Sequence, residues 1–193
     1  FVIQRKKRFI RFKFVFMKNS ISKLIIIVLL ITTFGCNQKE GLISIKNTIK
    51  PLNNSPISGT ISFTQKKDSV HLEAHVYGLE PGLKAIHIHE VGDCSSNDGL
   101  STGGHWNPTN TKHSKWGDPT GFHLGAVGNF EIDSIGHGMV DFSTDLWCLG
   151  CGEDNDLLGQ AVIIHNGQDD YVSQPSGASG MRIGCMEINI PEN

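Results

Sequence analysis

No stretch of this sequence sustains the 3.6-residue apolar period of an amphipathic helix, and none holds the roughly 20 consecutive apolar residues that a membrane-spanning helix needs. A coiled coil is thereby excluded, and the 22 glycines follow no three-residue repeat that would suggest collagen. Aromatic residues are scarce at 8%, but 38% of the chain is apolar and only 19% charged, which excludes disorder throughout. Acidic residues are missing altogether from positions 1–35, which hold eight lysines and arginines between Arg5 and Lys23. The remainder carries nine basic against all 19 acidic residues, a net of −10 hidden beneath the formal −2. A basic head on an acidic body points to targeting rather than to nucleic-acid binding. At 193 residues the chain has room for one ordinary domain or two small ones.

The basic head runs into an unbroken series of Leu, Ile and Val at 24–31, then Thr32, Thr33, Phe34, Gly35 and Cys36. That apolar run is too short to span a bilayer and has the layout of a secretory signal. Met17 is the first methionine, so 17–35 reads as the signal and 1–16 as an over-extended reading frame. Gly35-Cys36 resembles a bacterial lipobox, with the bulky Phe34 departing from the usual small residue. The resemblance implies that Cys36 is acylated, becomes the new N-terminus and anchors the chain to a membrane of the bacterial cell envelope, facing the periplasm or the exterior. Disulfides are permitted there. Residues 36–56, rich in Lys, Asn, Ser and Pro, read as a tether, and 57–193 as the folded domain.

Within that domain, 57–64 and 70–77 alternate apolar and polar residues across a turn at Lys66-Lys67-Asp68. Strands are expected again at 85–89, 129–133, 138–142, 160–165 and 182–190, with a hairpin around Gly136. Two long loops, 91–128 and 166–181, separate them, and loops of such length in a compact domain are usually functional. The expected fold is all-β, a sandwich or barrel of about eight antiparallel strands.

Nine histidines follow residue 70. His87 and His89, two apart on a strand, share a face, with Ile86 and Ile88 opposite. His165 ends another apolar strand, and His105, His113 and His123 lie in the first long loop. Imidazoles gathered from strands and a loop suit copper or zinc. His71, His75 and His137 read as ordinary structural or surface histidines.

The ordered motifs Ala85-Ile86-His87-Ile88-His89-Glu90, Gly103-Gly104-His105-Trp106-Asn107-Pro108, Lys112-His113, His123-Leu124-Gly125, Val162-Ile163-Ile164-His165 and Gly180-Met181-Arg182-Ile183-Gly184-Cys185 resemble the copper/zinc superoxide dismutase family over roughly 57–190. The resemblance implies a Greek-key barrel and a Cu(II)/Cu(I) cycle that converts superoxide to oxygen and hydrogen peroxide. By position, His87, His89, His105 and His165 are the copper ligands it implies, with His105 bridging to zinc and His113 and His123 as further zinc ligands. Arg182 matches the arginine that guides the anion, and Asp169 the carboxylate linking a copper histidine to a zinc histidine. Cys94 and Cys185 match the family's intrachain disulfide.

Three features depart from that pattern. The aspartate expected three residues after His123 is Ala126, which leaves three imidazoles for a metal that normally takes four ligands. Weaker zinc is expected, with water or Asp118 in the fourth position. The 166–181 loop lacks lysine, so steering is expected to rest mainly on Arg182, as in bacterial rather than animal members of the family. Cys148-Leu149-Gly150-Cys151 is extra, and a local disulfide is expected, with a metal or thiol-exchange role as the alternative. Superoxide dismutation protecting the cell envelope is the expected function, with a non-enzymatic copper-binding lipoprotein as the alternative. A homodimer is compatible with the family, and no nucleic-acid partner is expected.

Overall fold

The segment Ser69–Tyr77 alternates so regularly that Val70, Leu72, Ala74 and Val76 are fully buried while His71, Glu73 and His75 face outward. Strands of this kind bury one face against a core, and here the sheet does so by curling around it. The computed structural model describes residues 43–190, so the expected extension 1–16, the signal 17–35 and Cys36 lie outside the described residues.

Among the described residues, nine strands make up one antiparallel sheet: β1 (Ser44–Thr48), β2 (Lys50–Pro51), β3 (Ser58–Lys66), β4 (Ser69–Tyr77), β5 (Gly82–His89), β6 (Gly128–Ile132), β7 (His137–Thr144), β8 (Ala161–His165) and β9 (Arg182–Glu187). Their lateral order is β1-β3-β4-β7-β6-β5-β8-β9-β2. β1 and β2 are separated by Ile49 alone, so one bent segment pairs with β3 on one side and with β9 on the other. That bend nearly closes the barrel and, among the described residues, leaves no long free edge. Counted as one strand, it brings the total to the eight expected from sequence. The link from β7 to β8 crosses two strands, which makes the topology a Greek key.

Of the tether expected at 36–56, residues 36–42 lie outside the described residues and the described part is corrected here. Residues 44–51 are strand, and Ile45, Ile49 and Leu52 are buried, each at most 5% exposed. Burying those three side chains is what draws a segment of linker-like composition onto the barrel. The hairpin around Gly136 is present: Gly136 takes φ 81°, and Asp133 Oδ1 accepts the N–H groups of Ile135 and His137.

Phe63, Ile61, Leu72, Ile86, Ile88 and Trp147 belong to the barrel core. A smaller cluster of Leu52, Cys94, Ala161, Ile163 and Cys185 lies apart from it. There Cys94 and Cys185 form a disulfide that ties the chain following β5 to β9, with Cα atoms 5.9 Å apart.

Candidate metal centre

β5 sends Ile86 and Ile88 into the core and His87 and His89 to the opposite face. Both histidines are nevertheless buried, at 0% and 1% exposure, because the two long loops fold back over that end of the sheet. His165 comes from the end of β8, where the register with β9 shifts between Ile164 and His165. The first loop returns beside β5: Glu90 N–H donates to Gly104 O at 3.0 Å and Trp106 N–H to Ile88 O at 2.9 Å. His105 is thereby brought opposite His89. Gly125 allows the last turn of that loop to press on β5, since a Cβ there would lie 2.2 Å from Ile88 O.

Six of the nine histidines converge. The donor atoms of His87, His89, His105 and His165 lie within 4.8 Å of one another, as do those of His105, His113 and His123. His105 belongs to both groups, its ring centroid 4.1 Å from that of His87 and 5.5 Å from that of His123. The ring nitrogens divide in a consistent way. His89 Nδ1–H donates to Gly103 O at 3.0 Å and His165 Nδ1–H to Gly180 O at 3.2 Å. His87 Nε2–H and His113 Nε2–H donate to the two oxygens of Asp169, each at 2.9 Å. His123 Nε2–H donates to Thr111 O at 3.0 Å.

What remains faces inward. His87 Nδ1, His89 Nε2, His105 Nε2, His113 Nδ1 and His165 Nε2 are buried without a hydrogen-bond partner. A buried polar atom without a partner is costly, and several of them aimed at common points suit a cation. Burial depresses the pKa of His165 to about 3, helped by the neighbouring His87, and lowers those of His87, His89, His105 and His123. Neutral imidazole is the form that binds a metal. Burial opposes the ionisation of Asp169, but the hydrogen bonds from His113 and His87 outweigh it and hold the carboxyl below the ordinary range.

Asp169 therefore links the two groups of histidines, as its position suggested, and it is itself held. Its N–H donates to Asn129 Oδ1 at 2.7 Å and its carbonyl accepts from Asn129 Nδ2 at 2.9 Å. Gly177 lies so close that an added Cβ would overlap the carboxylate. Gln174 clamps the backbone of His113, accepting its N–H at 2.9 Å and donating to its carbonyl at 2.8 Å. Neither Asn129 nor Gln174 stands out in the sequence, because an amide that binds backbone leaves no pattern.

The Arg182 guanidinium is pinned by Gly99 O at 2.6 Å, Thr102 Oγ1 at 3.0 Å and Gly103 O at 2.8 Å. It lines a cavity of about 590 Å³ together with His89, His105, His165 and Lys112. Lys112, from the first loop, is thus a second cation at the cavity beside Arg182, on which steering was expected mainly to rest.

Ala126 is buried, and among the described residues no carboxylate joins His105, His113 and His123. Asp118, considered from sequence as a substitute ligand, does not join the three histidines here; its Oδ1 accepts from the N–H and hydroxyl of Thr120 at 2.8 and 2.7 Å. His71, His75 and His137 stand apart from this centre, beside Asp141, beside Glu73 and stacked on Tyr77 respectively. Cys148 and Cys151 are joined in a disulfide.

A family model described as copper/zinc superoxide dismutase matches residues 57–188. The extracellular superoxide dismutase (Cu-Zn) of Brugia pahangi is 34% identical over 149 residues, covering 71% of this chain and 71% of the relative. Superoxide dismutase (Cu-Zn) 2 of Aquifex aeolicus (strain VF5) is 35% identical over 136 residues, covering 68% and 79%. Among solved structures, a double mutant of a SOD-like protein from Bacillus subtilis superposes with a TM-score of 0.67 at 32% identity, over 75% of this chain and 97% of that one. The clock protein EA4 superposes with the same TM-score and identity, over 77% and 94%.

Proposed function

Because the chain belongs to the copper/zinc superoxide dismutase family, we propose that it dismutes superoxide at a copper centre held by His87, His89, His105 and His165. The observation that carries this reading is the set of four imidazoles, each with an unpartnered buried nitrogen, converging beside Arg182. Bound there, copper would supply the one-electron steps by which one superoxide leaves as oxygen and a second, with two protons, as hydrogen peroxide. The protein's own contribution is orientation and charge. Three of the five guanidinium N–H donors of Arg182 are spent on the loop, which leaves two for an anion in the cavity. His105 Nε2 would serve as a copper donor and, only where it is not bound to the metal, as the atom that holds a proton for the second step.

Zinc would be held by His105, His113 and His123 alone, without the carboxylate ligand that normally completes such a site, and so weakly. The layout of residues 17–36, with its signal and lipobox-like Gly35-Cys36, supports a lipid-anchored protein of the bacterial envelope. Two disulfides are in keeping with that compartment.

Fold does not fix activity, and the clock protein EA4 shares this one. The deciding test is a dismutation assay of the copper-loaded protein, with copper and zinc measured on the same sample. Copper-dependent turnover that falls at least about tenfold in Arg182→Ala, with copper retained, is expected. Stoichiometric copper without turnover would replace this reading with that of a copper-binding protein.

A further inference from the structure

The crossover from β7 to β8 carries a cysteine pair that the metal centre does not use. Cys151 is exposed and Cys148 half-buried, whereas Cys94 and Cys185 are 4% and 1% exposed. Exchange requires a thiolate to reach a sulfur, so of the two bridges only Cys148–Cys151 is open to an external thiol.

The surroundings of that bridge suit the reduced pair as well as the oxidised one. Asn155 Oδ1 lies 3.3 Å from Cys148 Sγ and 3.9 Å from Cys151 Sγ. A disulfide sulfur has no proton for that oxygen, while a thiol has one. The amide is fixed in this orientation, since Asn155 Nδ2 donates to Leu146 O at 3.1 Å. An acceptor therefore waits where a reduced Cys148 needs it.

The loop also keeps its shape by other means. The Asp156 carboxylate accepts the N–H groups of Gly150 at 2.9 Å, Gly152 at 2.7 Å and Leu158 at 3.0 Å. Cys148 N–H donates to Asn155 O, and Leu157 N–H to Cys148 O, each at 3.0 Å. Opened thiols would thus remain neighbours, ready to close again. As a staple the bridge has little to offer, because it spans three residues against 91 for Cys94–Cys185, and a short loop removes little entropy from the unfolded chain.

We propose that Cys148–Cys151 is a reversible thiol–disulfide exchange site for an external dithiol. A thiolate of that dithiol attacks Cys151 Sγ, forming a mixed disulfide as the Cys148–Cys151 bond breaks. Cys148 leaves as a thiolate and takes up a proton. The second thiol of the partner then displaces Cys151, so the partner becomes a disulfide and two electrons and two protons pass to the cysteine pair. The reverse sequence reoxidises it.

The test equilibrates the full chain in graded mixtures of reduced and oxidised dithiothreitol, with free thiols tagged and located by peptide mass spectrometry. Cys148 and Cys151 are expected to open together at a ratio of reduced to oxidised reagent at least tenfold below that needed for Cys94 and Cys185. In glutathione buffer the mixed disulfide is expected on Cys151. Replacing the acceptor, Asn155→Ala, is expected to move the midpoint roughly two- to threefold toward the disulfide. Both bridges opening at one ratio, an adduct confined to Cys148, or an unmoved midpoint in a folded N155A variant would each overturn the proposal. The first two readouts use the native chain and stand whatever the variant does. All three count thiols, so they are independent of whether the metal centre turns over superoxide.

Discussion

Ala126 sits in the turn that opens at His123, where its N–H donates to His123 O, and it brings only a methyl to a cluster of three imidazoles. An aspartate there would restore a fourth ligand and a negative charge. Without metal, the same buried carboxylate would be unpaired and costly. Ala126→Asp is therefore expected to lower the stability of the metal-free protein by about 1–3 kcal/mol while raising zinc affinity at least about tenfold. Melting curves with and without zinc, and competition against a chromophoric chelator, check both; equal zinc affinity in the two proteins would remove Ala126 as the cause of a weak site. The imidazoles themselves set a pH limit on the metal-free state. His165 titrates near 3 in the fold and near 6.5 when unfolded, so below 6.5 the unfolded chain binds the extra proton. Stability conferred by this depressed pKa is present above 6.5 and is lost as the pH falls toward 3. His165 alone contributes a loss of about 1.4 kcal/mol per pH unit across that window, and the four other depressed histidines add to it. Melting the metal-free protein at pH 7, 6 and 5 measures the slope; a flat profile would contradict it.

Among the elements, β5 was the most legible, because a strand's period of two places His87 and His89 on one face wherever the strand lies. β1 and β2 were not, because Lys46, Asn47, Thr48 and Lys50 dilute the apolar alternation and the reason for their order is tertiary: they join β3 to β9. If that segment belongs to the barrel, Ile45→Ala should cost about 2–5 kcal/mol, as a core truncation does, whereas in a free tether it would cost almost nothing. Urea unfolding distinguishes the two, and a loss below about 0.5 kcal/mol would return 44–51 to the tether. In the loops, the histidines, Cys94 and Asp169 were legible through the family resemblance, but the contacts that hold them were not. Gln174 reaches His113 across 61 positions and Arg182 reaches Gly99 across 83, through amide and carbonyl contacts that no local pattern announces. The missing carboxylate at Ala126 was legible because it breaks an ordered motif, while the engagement of Asp118 with Thr120 needed the fold.

Over the whole molecule, a chain that is net −10 beyond residue 35 should repel a superoxide anion, yet its cavity presents Arg182 and Lys112. Which effect governs encounter depends on distance and screening. At 0.01 M salt the screening length is about 30 Å and the anion feels the whole surface, whereas at 0.15 M it is about 8 Å and only charges near the cavity act. If the two cations dominate, adding salt weakens their pull and kcat/KM falls across that range. Lys112 lies on the exposed wall and holds no metal donor, so its removal tests this without disturbing the histidines. In the copper-loaded protein, Lys112→Ala is expected to lower kcat/KM roughly two- to fivefold at low salt, with copper content unchanged, and to flatten the salt dependence. A rate that climbs with salt in the native protein would mean that the acidic body prevails over the cavity, and an unaltered slope in the variant would mean that Arg182 provides the attraction alone.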